Sequence, residues 1–383
     1  MDIHLMDITL RDGEQAVGVI FSRWEKIQIA SHLAHMGIPA LEAGFPALGP
    51  EEKEAIRAIV EAGLQVGESQ QPLEVYAFAR ARRDDIMDAA ECGVHGVVIS
   101  ISTSDIHIER KFRTTRSWVL ERMEEAAEAA RQRSLSFIVS AEDASRSDMN
   151  FLIEYYRRAE ALGARMVRYC DSLGVNDPFT TYRHIRHICQ AVSIPIQLHM
   201  HNEFGMATAN VLMGLRAGAR AVAASLGGLG ERTGNSPLEE VVMALKHLYG
   251  VDLGVDTTRF REAAEYIAEA SRRAIPIWKA IIGSSIFAHE SGIHADGILK
   301  HPHTYEAFSP EEVNLERQIV IGKHSGTHAL IHKFHTEFGI QLDGATASRL
   351  LERVRAAAVE LKRPLFDKEL MLLYHELVNH RLT

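Results

Sequence analysis

Cysteine is scarce in this chain, and what there is lies scattered. The 383 residues include three cysteines, Cys92, Cys170 and Cys189, with no C-x-x-C pair among them. That spacing excludes a disulfide framework and argues against a thiolate zinc centre. A basic excess is also missing: the formal net charge of −9 excludes a generally cationic nucleic-acid surface. No segment reaches the roughly 18 apolar residues of a membrane span. The opening residues, Met1 to Asp7, show no basic stretch leading into an apolar one. The expectation is a cytoplasmic protein with neither membrane nor nucleic acid as a partner. Low-complexity tracts are absent. So is a G-x-G-x-x-G turn after the first strand candidate, which argues against a doubly wound open sheet.

What the chain does have is a strict alternation. Strand candidates at 3–8, 40–45, 73–78, 96–101, 135–141, 165–170, 194–201 and 219–226 alternate with helical patterns at 23–36, 51–61, 82–91, 117–133, 148–162, 179–190, 207–217 and 238–249. Several helices end at a glycine suited to the left-handed conformation, Gly37, Gly63, Gly93, Gly163 and Gly218 among them. Eight βα units in succession predict a (β/α)8 TIM barrel over residues 1–257, the length such a barrel needs. The alternation then stops. A helix over 258–273 is broken at Ile275-Pro276, the stretch 278–300 is rich in small residues and histidine, and 311–383 is mostly helical. The expected layout is a barrel, a helical subdomain at 258–310 and a C-terminal helical subdomain at 311–383.

Active sites of such barrels lie at the C-terminal ends of the strands. Arg11 and Asp12 follow the first strand, Glu142 and Asp143 the fifth, and Asp171 and Ser172 the sixth. His199 and His201 end the seventh, and Gly227–Asn235 follows the eighth. With 20 histidines a lone one means little, but His199 and His201, spaced i, i+2 on a strand, share a face while Met200 points away. Two imidazoles and the Asp12 carboxylate, with positions left open, suit a divalent cation: Mg2+, Mn2+ or Zn2+. Asn235 can add a neutral oxygen. Arg11, beside the acid, suits a developing oxyanion. Glu42, among apolar neighbours, can orient Arg11 or a substrate, or sit in a structural ion pair. Glu142 is a candidate general base or its support, and Asp143 a helix cap. In the second region, His289 and His294 are five apart across Gly292, unlike the H-E-x-x-H register of metalloproteases. Gly322–Gly326 reads as a turn or a substrate loop.

Taken together, Asp7-Ile8-Thr9-Leu10-Arg11-Asp12-Gly13-Glu14-Gln15, His199-Met200-His201-Asn202 and Gly228-Leu229-Gly230-Glu231-Arg232-Thr233-Gly234-Asn235 resemble the homocitrate synthase and 2-isopropylmalate synthase family, of the DRE-TIM metallolyase superfamily. Ser140-x-Glu142-Asp143-x-x-Arg146, His289–Gly297 and Gly322–Gly326 match as well, so the resemblance covers nearly the whole chain. It is strongest to the short, nitrogenase-associated homocitrate synthases, and a large regulatory domain with feedback control is not expected.

The resemblance implies a Claisen-type condensation of acetyl-CoA with a 2-oxo acid followed by thioester hydrolysis. Asp12, His199, His201 and Asn235 would serve the metal, Arg11 the developing charge, and Gln15, Glu42, Ser140 and Ser172 the substrate. His294 would be lent to the active site of a partner subunit in a homodimer, with Glu142 assisting. The leading expectation is homocitrate from 2-oxoglutarate. Citramalate, 2-isopropylmalate and Re-citrate synthases are alternatives. So is a 3-hydroxyacyl-CoA lyase of the same superfamily, although the Gly227–Asn235 loop lacks the lyases' cysteine. Departures from the family pattern are Ser172 for Thr, Gly227 for Asn, an inserted stretch at 67–72, Arg80 and Arg82 where a substrate-contacting His is placed, and Ile138 near an Arg position. They are expected to cluster around the acid's distal group.

Overall fold

The computed structural model describes residues 3–379. The first of its two compact units runs to Ile275, the second from Pro276. In the first, chain order is β1 (His4–Asp7), α1 (Arg23–Met36), β2 (Ala40–Glu42), α2 (Pro50–Glu61), β3 (Gln65–Val66), β4 (Gln71–Pro72), β5 (Glu74–Arg80), α3 (Arg83–Glu91) and β6 (Gly96–Ser102). There follow α4 (Arg116–Gln132), β7 (Ser136–Glu142), α5 (Met149–Ala161), β8 (Met166–Asp171), α6 (Pro178–Cys189), β9 (Ile196–Met200), α7 (Ala207–Ala217), β10 (Ala221–Ala224), α8 (Leu238–Tyr249) and α9 (Phe260–Ser271). Strands β1, β2, β5, β6, β7, β8, β9 and β10 close into one barrel, every pairing parallel, with β1 beside β10. The fold is the predicted (β/α)8 barrel.

The local reasons are visible at the helix ends. Ser22 caps α1 reciprocally: its hydroxyl accepts from Glu25 N at 3.3 Å, and the Glu25 carboxylate accepts from Ser22 N at 2.6 Å. The helix stops at Gly37, whose φ of 97° is left-handed and whose position leaves 2.8 Å between a would-be Cβ and the Gly254 carbonyl. Asp177 and Pro178 start α6, the carboxylate accepting from Phe179 N and Thr180 N.

Residues two apart on a strand share a face, so each barrel strand climbs inside the barrel in steps of two. Met6, Ala40, Tyr76, Val98, Ile138, Met166 and Ala221 form one buried apolar layer. Two residues further along the same strands stand Glu42, Phe78, Ser100, Ser140 and Arg168. The barrel interior therefore turns polar toward its C-terminal rim. Ile138 belongs to the plug beneath the site, not to the substrate's surroundings.

Two expectations need correction. The stretch 67–72 contributes to an antiparallel hairpin of β3 and β4, which lines a cavity of about 320 Å³ with His4, Glu74, Arg165 and Gln197. Those residues lie near strand starts, so the insertion sits at the barrel end opposite the site. The boundary expected at residue 257 falls inside the first unit: α9 packs on α1, with the His32 and Tyr266 rings 5.1 Å apart.

The second unit contains β11 (Ala288–His289), α10 (Gly292–Lys300), β12 (Gln318–Ile319), α11 (Thr327–Phe338), α12 (Gly344–Leu361) and α13 (Asp367–Asn379). The region expected to be helical at 258–310 thus also holds β11, paired in parallel with β12. Ala295, Leu330, Phe334, Leu350, Val354 and Leu370 help build this unit's own core. Among the described residues, no helix is long and apolar enough to cross a membrane.

Candidate active site

Asp12 precedes a short 3-10 turn (Gly13–Gln15) in the loop that follows β1, and Arg11 precedes Asp12; both are buried. Arg11 Nε donates to Glu42 Oε2 at 2.6 Å, its Nη1 donates to Asp12 Oδ2, and its guanidinium lies 4.7 Å from the Phe78 ring centroid. Glu42 is fully buried and also pairs with Arg168, itself only 1% exposed. The substrate contact that the resemblance implies for Glu42 is not what the structure shows. Glu42 is not among the cavity's lining residues, and its two arginines hold it ionised against the cost of burial. It anchors Arg11.

His199 and His201 share a face as predicted, with ring centroids 4.9 Å apart and Met200 buried on the other side. His201 lies one residue beyond β9, in a bridge with Asn235. The Asn235 amide spans the acid and the first histidine: Nδ2 donates to Asp12 Oδ1 at 3.0 Å, and Oδ1 lies 3.0 Å from His199 Nε2. Gly230 makes this possible, since a Cβ there would fall 2.3 Å from Asn235 Nδ2. His199 Nε2 is 3.7 Å from Asp12 Oδ2.

Burial pushes the His199 imidazole down to about 3, Asp12 opposing, and pushes His201 down as well. Burial would raise Asp12, but Arg11 and the two histidines carry it well below the usual carboxylate range. The result is two neutral imidazoles facing an ionised carboxylate, and His201 Nδ1 is buried with no hydrogen-bond partner. Those donors fit a divalent cation.

Elsewhere on the same rim, Glu142 ends β7. Lys111 Nζ donates to its Oε1 at 2.7 Å and His107 Nδ1 stands 3.6 Å away. Both partners come from a π-helical turn, His107–Phe112, a rare geometry that recurs at functional sites. Asp143 is left-handed at φ 61°, and its side chain makes no helix cap. It accepts from Arg146 and Ser104 instead, while its N–H donates to Ser172 Oγ at 2.8 Å. Ser172 keeps the hydroxyl expected of the family's threonine and uses it to tie β8 to the loop after β7. Arg232 Nη2 donates to the Ser172 carbonyl at 2.6 Å.

These groups surround one cavity of about 370 Å³. Arg11, Asp12, Gln15, Ser140, Glu142, Ser172, His199 and His201 all line it; Asn235 and Glu42 do not. Nor do Arg80 and Arg82. The Arg80 guanidinium is held by Asp85 at 2.7 and 2.9 Å and lies over Phe45, while Arg82 faces Asp84 at 3.7 Å.

Sequence reasoning missed Phe78, Ser100, His107 and Cys170, all lining residues. Cys170 Sγ is 3.2 Å from His199 Nδ1, a thiol at the site of which the cysteine spacing gave no sign. The available signal was strand periodicity: Cys170 is two residues before Ser172 and so shares its face. No comparable signal existed for His107, because a π-turn has no sequence period of its own.

His294 lies exposed on α10 of the second unit, its ring 4.3 Å from that of Tyr305. The two motifs of that unit pack on each other. Glu290 Oε1 accepts from His324 N at 3.1 Å and the Glu290 carbonyl accepts from Ser325 Oγ at 3.2 Å. The Gly322–Gly326 run is a structural turn locked to the His289–Gly297 motif.

A closed parallel barrel with a charged cavity at its C-terminal rim defines a (β/α)8 enzyme. The HMGL-like family model matches residues 2–267, and the model described as homocitrate synthase post-HMGL domain-like matches residues 281–362. Among curated relatives, 2-isopropylmalate synthase 2 of Caldanaerobacter subterraneus subsp. tengcongensis is 54% identical, covering 98% of this chain and 96% of its own. Homocitrate synthase 1 of Nostoc sp. is 46% identical over 97% of this chain and 96% of its own. The (R)-citramalate synthase of Methanocaldococcus jannaschii is 39% identical over 98% of this chain and 75% of its own. Among solved structures, the 3-hydroxy-3-methylglutaryl-CoA lyase of Bacillus subtilis superposes with a TM-score of 0.63 at 20% identity, covering 72% of this chain and 95% of that one, a likeness of fold alone. The chain belongs to the homocitrate synthase and 2-isopropylmalate synthase family and is an acyltransferase of that type.

Proposed function

We propose that this enzyme condenses acetyl-CoA with 2-oxoglutarate to form homocitrate. The observation that carries the choice of acid is the wall of β6 and β7. Ser100 and Ser140 on those strands and His107 in the turn after β6 line the cavity, beside the apolar Phe78 and Leu173. A polar tail satisfies those groups, whereas an isopropyl tail would strand them. The paired arginines Arg80 and Arg82 play no part in this reading. The competing reading is 2-isopropylmalate from 2-oxoisovalerate, favoured by the 54% identical relative.

A divalent cation bound by Asp12, His199 and His201, with Asn235 beside them, supplies Lewis-acid polarisation and a template for the acid's keto and carboxylate oxygens. Mg2+, Mn2+ and Zn2+ all fit that donor set. The protein's own groups do the rest. Arg11, immobilised by Glu42, presents a fixed cation where the keto oxygen gains negative charge. Glu142, ion-paired with Lys111, takes the proton from the acetyl methyl group. Ser140, Ser172 and Gln15 hold the acid. The new carbon–carbon bond joins the acetyl methyl carbon to the keto carbon, and water then releases the CoA thiol. His294 acts from the partner of a homodimer as the second proton-transfer group, and the enzyme works in the cytoplasm.

The test is thiol release from acetyl-CoA against a panel of 2-oxo acids, with and without chelator. The expected result is metal-dependent release with 2-oxoglutarate preferred. Preference for 2-oxoisovalerate or pyruvate would overturn the acid while keeping the reaction. No acid-dependent release with any added metal would overturn both. For His294, mixing inactive His294→Ala and Asp12→Ala subunits should restore part of the activity; confirmed mixed dimers without rescue would remove the role in trans.

A further inference from the structure

Two different edges of the His199 ring face two different acids. Nε2 points toward Asp12 Oδ2 at 3.7 Å, and Nδ1 lies 3.2 Å from Cys170 Sγ. One ion cannot take both nitrogens of one imidazole. Cys170 Sγ and one nitrogen from each of His199 and His201 all lie within 4.8 Å of one another, and the three residues are 6%, 2% and 6% exposed. Sulfur to nitrogen at 3.2 Å needs to open by only a few tenths of an ångström to admit an ion at about 2.3 Å from sulfur and about 2.0 Å from nitrogen. His201 Nδ1 is buried without a hydrogen-bond partner. Cys170 also lines the cavity, which gives an ion a route in. The other two cysteines, Cys92 and Cys189, belong to no such cluster among the described residues.

We propose that Cys170, His199 and His201 form a binding site for one thiophilic divalent cation, of the Zn2+ or Cd2+ class, on the Cys170 edge of the His199 ring. A soft sulfur with two imidazoles and an open fourth position is the donor set such ions prefer over Mg2+ or Mn2+. On binding, the sulfur–metal bond forms and the thiol proton leaves to solvent. Because both histidines are shared, occupation of this site excludes an ion from the Asp12 edge. That consequence, inhibition of the condensation, rests on the metal-dependent reaction proposed above; the site itself does not.

The experiment is a Cd2+ titration of the full-length, metal-free protein, followed by the ultraviolet thiolate-to-cadmium charge-transfer band. The expected result is a band that saturates at one Cd2+ per chain, persists in Asp12→Asn, and is lost in both Cys170→Ser and Cys170→Ala. Affinity in the two cysteine variants should fall on the order of 10- to 100-fold or more. Cd2+ binding to the unaltered protein without that band would overturn the site, whatever the variants do. So would a band that survives Cys170→Ser or disappears in Asp12→Asn. If the band behaves as expected but no 2-oxo acid supports thiol release, the proposed reaction fails and the cation site stands. If release occurs and Cd2+ leaves it unaffected while the band saturates, the exclusion is overturned.

Discussion

Arg11 and Glu42, thirty-one positions apart in sequence, meet at 2.6 Å with both side chains buried. Glu42 has a second cation in Arg168, so removing its charge would leave Arg168 without that anion and Arg11 with Asp12 alone in the barrel interior. Glu42→Gln is therefore expected to cost about 3–5 kcal/mol of stability, the scale for breaking a buried ion pair. It should also lower kcat more than it raises KM, because Arg11 loses its orientation. Urea unfolding with steady-state kinetics checks both; a variant as stable and active as the parent would mean that Arg11 is held by Phe78 and Asp12 alone.

Gly230 is predicted to act on the site without touching a substrate. In Gly230→Ala the new methyl collides with Asn235 Nδ2 at 2.3 Å, so the amide must leave Asp12 and His199. Calorimetric Mn2+ affinity should fall on the order of 10- to 100-fold while the unfolding midpoint changes little. Unchanged affinity would show that Asn235 has no bearing on the cation.

Asp7 sets a pH signature. Burial raises its carboxyl to about 7, with hydrogen bonds from Thr9 opposing. A carboxyl raised in the folded state binds its proton more tightly there than when unfolded. Its contribution is complete below about pH 4 and is lost as the pH rises toward 7. The stability of the parent relative to Asp7→Asn should thus decline between about pH 4 and pH 7, measured by urea unfolding at about one-unit steps. A difference that is flat or grows with pH would contradict the protonated, buried carboxyl.

Glu142→Gln keeps the shape of the side chain and removes the proton acceptor. The expected loss in kcat is about 10²- to 10⁴-fold with KM for the 2-oxo acid nearly constant. A change confined to KM would reassign Glu142 to substrate binding.

The fold was legible because its signals are local. Eight alternations of period-2 and period-3.6 patterns, closed by glycines such as Gly37, need no knowledge of distant contacts. His199 and His201 were legible for the same reason, as strand geometry alone puts them on one face. Asp12 joins them only through ring closure, where β1 pairs with β10 beside β9. The motif nonetheless flagged it, because an acid at the end of a first strand must lie at the rim.

What escaped was set by tertiary contact. Glu42 was compatible with orienting Arg11, with a substrate contact or with a structural ion pair, and its pairs with Arg11 and Arg168 decide between them. Arg80 read as a possible partner for a carboxylate until Asp85 was seen holding it. The stretch 67–72 read as part of the site until its hairpin proved to lie at the other end of the barrel. The sequence by itself determined the barrel, its rim and the residue types gathered there, because backbone periodicity and strand order depend on neighbours along the chain. Only the folded structure decided which charges are already neutralised, and that Cys170 stands against His199, because those outcomes depend on side chains that meet across the barrel.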